Sequence, residues 1–167
     1  MHDKEVAGRP TSAAQTTLSR IMTTLDTNLL GTVHGGVIMK LVDDVAGAVA
    51  QRHSGGPAVT VSMDEMAFLE PVQIGDLVHA HGRVNWTGRT SLEVGVRVLA
   101  EPWNEVTTAK RVATAYLVFV ALDADGRTRA VPPVLPETSD DRRRFAEAEI
   151  RRTHRLARRA AILKSRR

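Results

Sequence analysis

The apolar residues of this chain change their spacing once, and that change decides most of what the chain can fold into. Ile38, Leu41, Val42, Val45 and Val49 recur three and four residues apart, the period of one helix face. The pattern stops at Ser54-Gly-Gly-Pro57, a strong terminator, and roughly the next sixty-five residues run at period two. Val59, Val61 and Met63 alternate in one strand; Val78, Ala80, Val84 and Trp86 face one way in the next, with His79, His81, Arg83 and Asn85 on the other side. Leu92, Val94, Val96 and Val98 oppose Ser91, Glu93, Gly95 and Arg97 in a third strand, reached through the turn Thr87-Gly-Arg89. Residues 112–122 are apolar on both faces, which predicts a strand covered on both sides, either central or at a subunit interface.

Residues 17–25 give a weaker first strand ahead of the helix. After Asp123-Ala-Asp-Gly126 a proline-rich stretch, Val131-Pro-Pro-Val-Leu-Pro136, leads to a second helix from about Ser139, where Ser or Asp can cap the free amides. The expected class is α+β, with one long helix, five or six antiparallel strands and a C-terminal helix. One helix cannot cover both faces of a five-stranded sheet, so burial alone predicts a dimer that joins or stacks sheets.

A chain of 167 residues is the size of one ordinary domain. Residues 1–14 read as a mobile lead-in, 15–138 as the domain and 139–167 as a basic helical tail. There is no cysteine, which excludes a thiol nucleophile, a disulfide framework and thiolate-bound metal. Neither a signal sequence nor a long apolar run is present, so a soluble, cytoplasmic protein without a membrane span is expected. The net charge of +4 is unevenly placed: residues 139–167 hold eleven Lys/Arg and four Asp/Glu, against twelve and fifteen before them. That tail reads as a solvated helix face and, lacking interleaved aromatics, not as a nucleic-acid surface.

His34-Gly-Gly36 stands where the long helix begins, and the first amides of a helix have no partner within it. Glycines there let a polarised carbonyl approach, or simply make a tight turn. Asp43, seven residues after Gly36, falls on nearly the same helix face beside the small residues Ala46-Gly-Ala48, while its neighbour Asp44 points about 100° away. Either carboxylate could be an ordinary exposed charge. His79 and His81 share a strand face, but no third ligand accompanies them and no metal is expected.

The stretch Leu25-Asp-Thr-Asn-Leu-Leu-Gly-Thr-Val-His-Gly-Gly-Val-Ile-Met-Lys-Leu-Val-Asp-Asp-Val-Ala-Gly47 resembles the signature of hotdog-fold acyl-CoA thioesterases related to brain acyl-CoA hydrolase, the cytosolic acyl-CoA thioester hydrolases, and their bacterial single-domain members. The likeness continues through Ala58-Val-Thr-Val-Ser62, Gly88-Arg-Thr-Ser-Leu-Glu93 and residues 132–145. It implies a long helix wrapped by an antiparallel sheet, homodimers joined edge to edge, often as trimers of dimers, and active sites at the dimer interface. Asn28 and Asp43 match the family's catalytic Asn and Asp, contributed to one site by different chains. The resemblance makes Asp43 a general base for water, or a nucleophile, and the Gly35 and Gly36 amides donors to the thioester carbonyl. His34 helps fix the turn, takes an acid–base role or merely packs; Thr60, Arg89, Thr90 and Ser91 fall at positions assigned to CoA contacts. CoA is then part of the substrate, and no separate cofactor is implied. Two other readings stay open: an acyl-CoA binding or sensing module without turnover, and a hotdog hydratase or dehydratase.

Overall fold

A computed structural model describes residues 6–166; residues 1–5 of the lead-in expected at 1–14 lie outside them. The elements in order are β1 (Arg9–Pro10), β2 (Thr16–Ile21), α1 (Gly35–Ser54), β3 (Ala58–Phe68), β4 (Asp76–Thr87), β5 (Ser91–Pro102), β6 (Lys110–Ala121), β7 (Val134–Leu135) and α2 (Ser139–Ser165). Five antiparallel strands form one sheet in the order β2-β4-β5-β6-β3, and β1 pairs with β7 in parallel. Within the stretch expected as lead-in, Thr11 and Ala14 are buried.

The helix α1 starts and stops where its sequence says. Gly55 ends it in the left-handed region at φ 75°, a conformation open to glycine at no steric cost, and its N–H returns to the Gln51 carbonyl. One face of α1, from Ile38 through Val49, is buried against the inner face of the sheet. There it meets Val78 and Ala80 of β4, Leu92 to Val98 of β5 and Ala113 to Phe119 of β6. A long helix embraced by a curved antiparallel sheet is the hotdog arrangement.

Four local expectations are corrected. The first strand ends at Ile21, because Thr23 and Asp26 cap one another's amides and wind residues Thr24–Asp26 into a 3-10 turn. Trp86 does not share a face with Val84: the register slips between them, so Asn85 and Trp86 both lie on the outer face opposite Glu93. Such a bulge sets two residues against one and ends the alternation that period two relies on. The cap of α2 is Thr138, whose hydroxyl accepts from the Asp141 N–H, and neither Ser139 nor Asp140. Most consequentially, the basic tail is not solvated all round: one face is exposed, as expected, and the other is docked.

Instead α2 lies across the outer face of the sheet, held by arginines. Arg83 of β4 reaches Asp141 at 3.3 Å, Arg151 meets the buried Glu93 at 2.7 Å and Arg155 pairs with Asp64 of β3. Arg152 stacks over the Trp86 ring at 5.1 Å. Hydrogen bonds from Arg144, then Arg143, hold Asp140 down to about 2 from 3.8. In Asp141 burial raises the carboxyl, but bonds from Thr138 and Glu137 outweigh it and leave the group lowered. The unfolded chain therefore binds more protons than the folded one as pH falls through this range. Stability contributed by the start of α2 is complete above about pH 4 and is lost toward pH 2. Urea titrations at pH 6, 5, 3.5 and 2.5 are expected to show this contribution unchanged between pH 6 and 5 and a falling midpoint at 3.5 and again at 2.5.

Candidate active site

Residues 26–34 fold into a compact loop that feeds α1. The Asn28 side-chain oxygen accepts from Leu30 N at 2.8 Å and Thr32 N at 3.2 Å, and its amide nitrogen donates to the Thr32 hydroxyl at 2.9 Å. An Asn folding its side chain back onto nearby amides is a standard turn device. One of the two Nδ2 hydrogens is left over for another acceptor. Leu29 and Leu30 stand at the loop tip, 106% and 88% exposed, which is costly for two leucines unless something covers them.

His34 caps α1: its Nδ1 accepts from Gly36 N at 2.8 Å, which places the ring proton on Nε2. A Cβ on Gly36 would stand 2.9 Å from that Nδ1, so the cap requires glycine there. This revises the reading of the two amides. Gly36 N–H is committed to His34, whereas Gly35 N–H has no protein acceptor among the described residues and is the free donor. Beside Gly35 opens a cleft of about 360 Å³ walled by Val33, Ile38, Phe68, Leu69 and Val72.

Asp43 projects from α1 toward the open edge of the sheet, where the Thr60 hydroxyl of β3 donates to its Oδ1 at 2.8 Å. Thr60, which the resemblance groups with the CoA contacts, is the residue whose hydroxyl is bonded to this carboxylate. Asp44 is the ordinary member of the pair, bonded to Lys40 at 2.8 Å one turn back. Asp43 and Gly35 share a helix, yet eight residues of rise separate them by about 12 Å. No single carbonyl can touch both within one chain. Asn28 makes no bond to Asp43 either; its bonded partners are in its own loop.

Arg89, Thr90 and Ser91 form the β4–β5 turn. Thr90 and Arg89 carbonyls accept from Ala121 and Val131, and Gly88 N–H donates to Ser91 O. Strand pairing carries Thr60 to Phe119 and on to Leu92, so this turn lies about 10 Å, two strand spacings, from the Asp43–Thr60 pair. The Arg89 side chain is exposed and makes no ion pair among the described residues. His79 and His81 bond to Ser19 at 2.7 Å and Thr17 at 2.8 Å, and His79 also to Glu101 at 3.1 Å, on the sheet face away from α1.

The profile of the thioesterase superfamily matches residues 30–107, a span running from the Asn28 loop through α1 and the first three long strands. The human cytosolic acyl coenzyme A thioester hydrolase is 38% identical over 141 residues, 84% of this chain. A Bacillus subtilis protein named as an uncharacterized acyl-CoA thioester hydrolase is 42% identical over 119 residues, 70% of this chain and 67% of its own. This chain belongs to the thioesterase superfamily. It spans only 37% of the length of the human family member. Two solved members overlay on nearly its whole length. Acyl-CoA hydrolase from Staphylococcus aureus, solved with butyryl coenzyme A and coenzyme A, is 31% identical with a TM-score of 0.86, covering 94% of this chain and 95% of that one. A hexameric acyl-CoA thioesterase is 32% identical with a TM-score of 0.89, covering 93% and 99%. Variants of the Staphylococcus enzyme with alanine in place of an aspartate, an asparagine or a threonine match as well. Among the described residues no helix is long and apolar enough to cross a membrane.

Proposed function

We propose that this protein is an acyl-CoA thioesterase whose active site is built by two chains, with Asp43 and Thr60 from one and Asn28 and Gly35 from the other. The observation that carries the reading is the pair of half-sites in each chain: a carboxylate fixed at an open sheet edge, and a free helix-start amide beside an apolar cleft. The axial separation along α1, about 12 Å, supports the contribution of a second chain. β3 supplies the means, since it is an eleven-residue edge strand carrying exposed Val59 and Val61, and such an edge pairs with another copy. The bare Leu29 and Leu30 would be covered in the same assembly. Hexameric relatives support further association as a trimer of dimers.

In this mechanism Asp43 takes a proton from water as its oxygen bonds to the thioester carbonyl carbon. Negative charge moves to the carbonyl oxygen, where the Gly35 N–H and the spare Asn28 Nδ2 hydrogen receive it. Collapse breaks the carbon–sulfur bond, and the proton held on Asp43 passes to the departing CoA thiolate. Arg89 would meet CoA phosphates. CoA enters as part of the substrate, no cofactor is called for, and the name of the human relative favours the cytosol.

Steady-state release of free thiol across acyl-CoAs of several chain lengths tests the activity; tight binding without CoA release would refute it and favour the binding-module reading. The shared site has a separate test. Asn28→Ala and Asp43→Ala should each be nearly inactive, while refolding equal amounts together restores about a quarter of parent activity. Half of the dimers are then mixed and each regains one intact site. Verified mixed dimers without recovery would place both residues in the same chain's site.

A further inference from the structure

On the face of the sheet opposite Asp43, between β4, β5, β6 and the first turns of α2, lies a cleft of about 130 Å³ into which five arginines converge. Arg83 comes from β4, Arg97 from β5, Arg111 from β6, and Arg143 and Arg144 from α2. Three of them are neutralised in place: Arg83 by Asp141, Arg143 by Asp140 and Glu147, Arg144 by Asp140. Arg97 and Arg111 pair with no carboxylate among the described residues and hold nothing together. The positive field left over is felt by His81 on the wall of the same cleft, which burial and then Arg97, His79 and Arg83 push below its ordinary value. Thr114 and Tyr116 of β6 also line the cleft with hydroxyl-bearing side chains. The volume equals that of only a few waters, too small for a nucleoside but suited to a compact anion.

We propose that this cleft binds a phosphate or pyrophosphate group, with Arg97 and Arg111 as its direct donors and the paired arginines as a supporting rim. Planar guanidinium groups arriving from different strands match the oxygens of such an anion, and a polyphosphate offers the divalent charge that two unpaired arginines leave uncompensated. The site is separate from the thioester chemistry in the same chain, because the sheet itself stands between the cleft and α1. It is also separate from the β4–β5 turn: Arg83 and Arg97 lie several residues down that hairpin from Arg89. The group can arrive on CoA or on a free nucleotide, and the two sources share the chemistry argued here.

Calorimetric titration of the full chain with inorganic pyrophosphate, at ionic strength matched with chloride, tests the proposal. One saturable site per chain is expected, weakened at least about tenfold in the double variant Arg97→Gln with Arg111→Gln. The double variant should keep the parent's circular dichroism, since neither side chain makes an ion pair. Asp43→Asn should bind pyrophosphate as the parent does, which separates this site from the catalytic one. Displacement by CoA would assign the group to substrate or product, and displacement by ADP but not CoA to a free nucleotide; either supports the site. Absence of saturable binding, or equal affinity in the folded double variant, overturns it.

Discussion

Asp43→Asn is expected to fold and assemble like the parent chain while losing about 10²–10⁴-fold in kcat for acyl-CoA hydrolysis, the range for removal of a positioned general base. The substitution is nearly isosteric. Its amide oxygen can still accept from the Thr60 hydroxyl, and the side chain is exposed in the single chain, so neither packing nor a buried charge is disturbed. What disappears is the capacity to take a proton from water. Thr60→Ala should cost far less, about tenfold, because it removes one hydrogen bond that aims the carboxylate and leaves the carboxylate itself. Thr60→Ser should recover most of that loss, as a positioning role requires. Thiol-release kinetics on chains matched by circular dichroism and by size would decide the matter. A kcat for Asp43→Asn within tenfold of the parent would remove Asp43 from the mechanism.

The largest stability effect is expected at Arg151. Glu93 is 2% exposed on the outer face of β5, where Arg151 grips it through Nη2 at 2.7 Å and Nε at 3.2 Å, and Asn85 donates to it at 3.1 Å. The Arg151 guanidinium also lies 3.7 Å from the centre of the Tyr116 ring. Arg151→Ala strips a buried carboxylate of its counter-charge beneath α2, a class of change that costs about 3–5 kcal/mol. For a chain of this length that corresponds to a fall in Tm of about 10 °C or more. Glu93→Gln combined with Arg151→Met should regain much of the loss, since no charge is then left unpaired. A fall of Tm no greater than that of an exposed substitution such as Arg158→Ala would mean that water already solvates the pair.

Glu93 also shows where reading by pattern ends. Alternation with Leu92 and Val94 puts it on the outer face correctly, and on a sheet with one bare face an outward Glu is a solvated Glu. It is buried because α2 comes back from more than fifty residues away to cover it. The arginine-rich helix and the outward carboxylates Glu93 and Asp64 were both visible in the sequence, but their pairing is a long-range contact with no local signal. Trp86 failed for a different reason: a single-residue slip in strand pairing reverses every later side chain, and nothing in the composition of Val84-Asn-Trp86 marks the slip.

At the candidate site the division is equally physical. Asn28 was marked only by the family resemblance, whereas the turn His34-Gly-Gly36 and the carboxylate at Asp43 could be singled out as candidates from spacing along one helix. Which of two amides is free could not, because Gly36 loses its N–H to a ring nitrogen only two residues back in a particular rotamer. Nor could the role of Thr60, which depends on β3 lying against α1 at that register.

By itself the sequence determined α1 with both its ends, the run of antiparallel strands, the inner core face apart from Trp86, and the family resemblance, all of which rest on interactions within a few residues or on repeating side-chain direction. Tertiary structure alone decided that the basic tail is a docked helix, that Glu93 is buried, that Thr60 holds Asp43 and that two unpaired arginines face one cleft. Those outcomes turn on where distant segments meet, and burial, pairing and charge compensation are properties of that meeting rather than of any one stretch of chain.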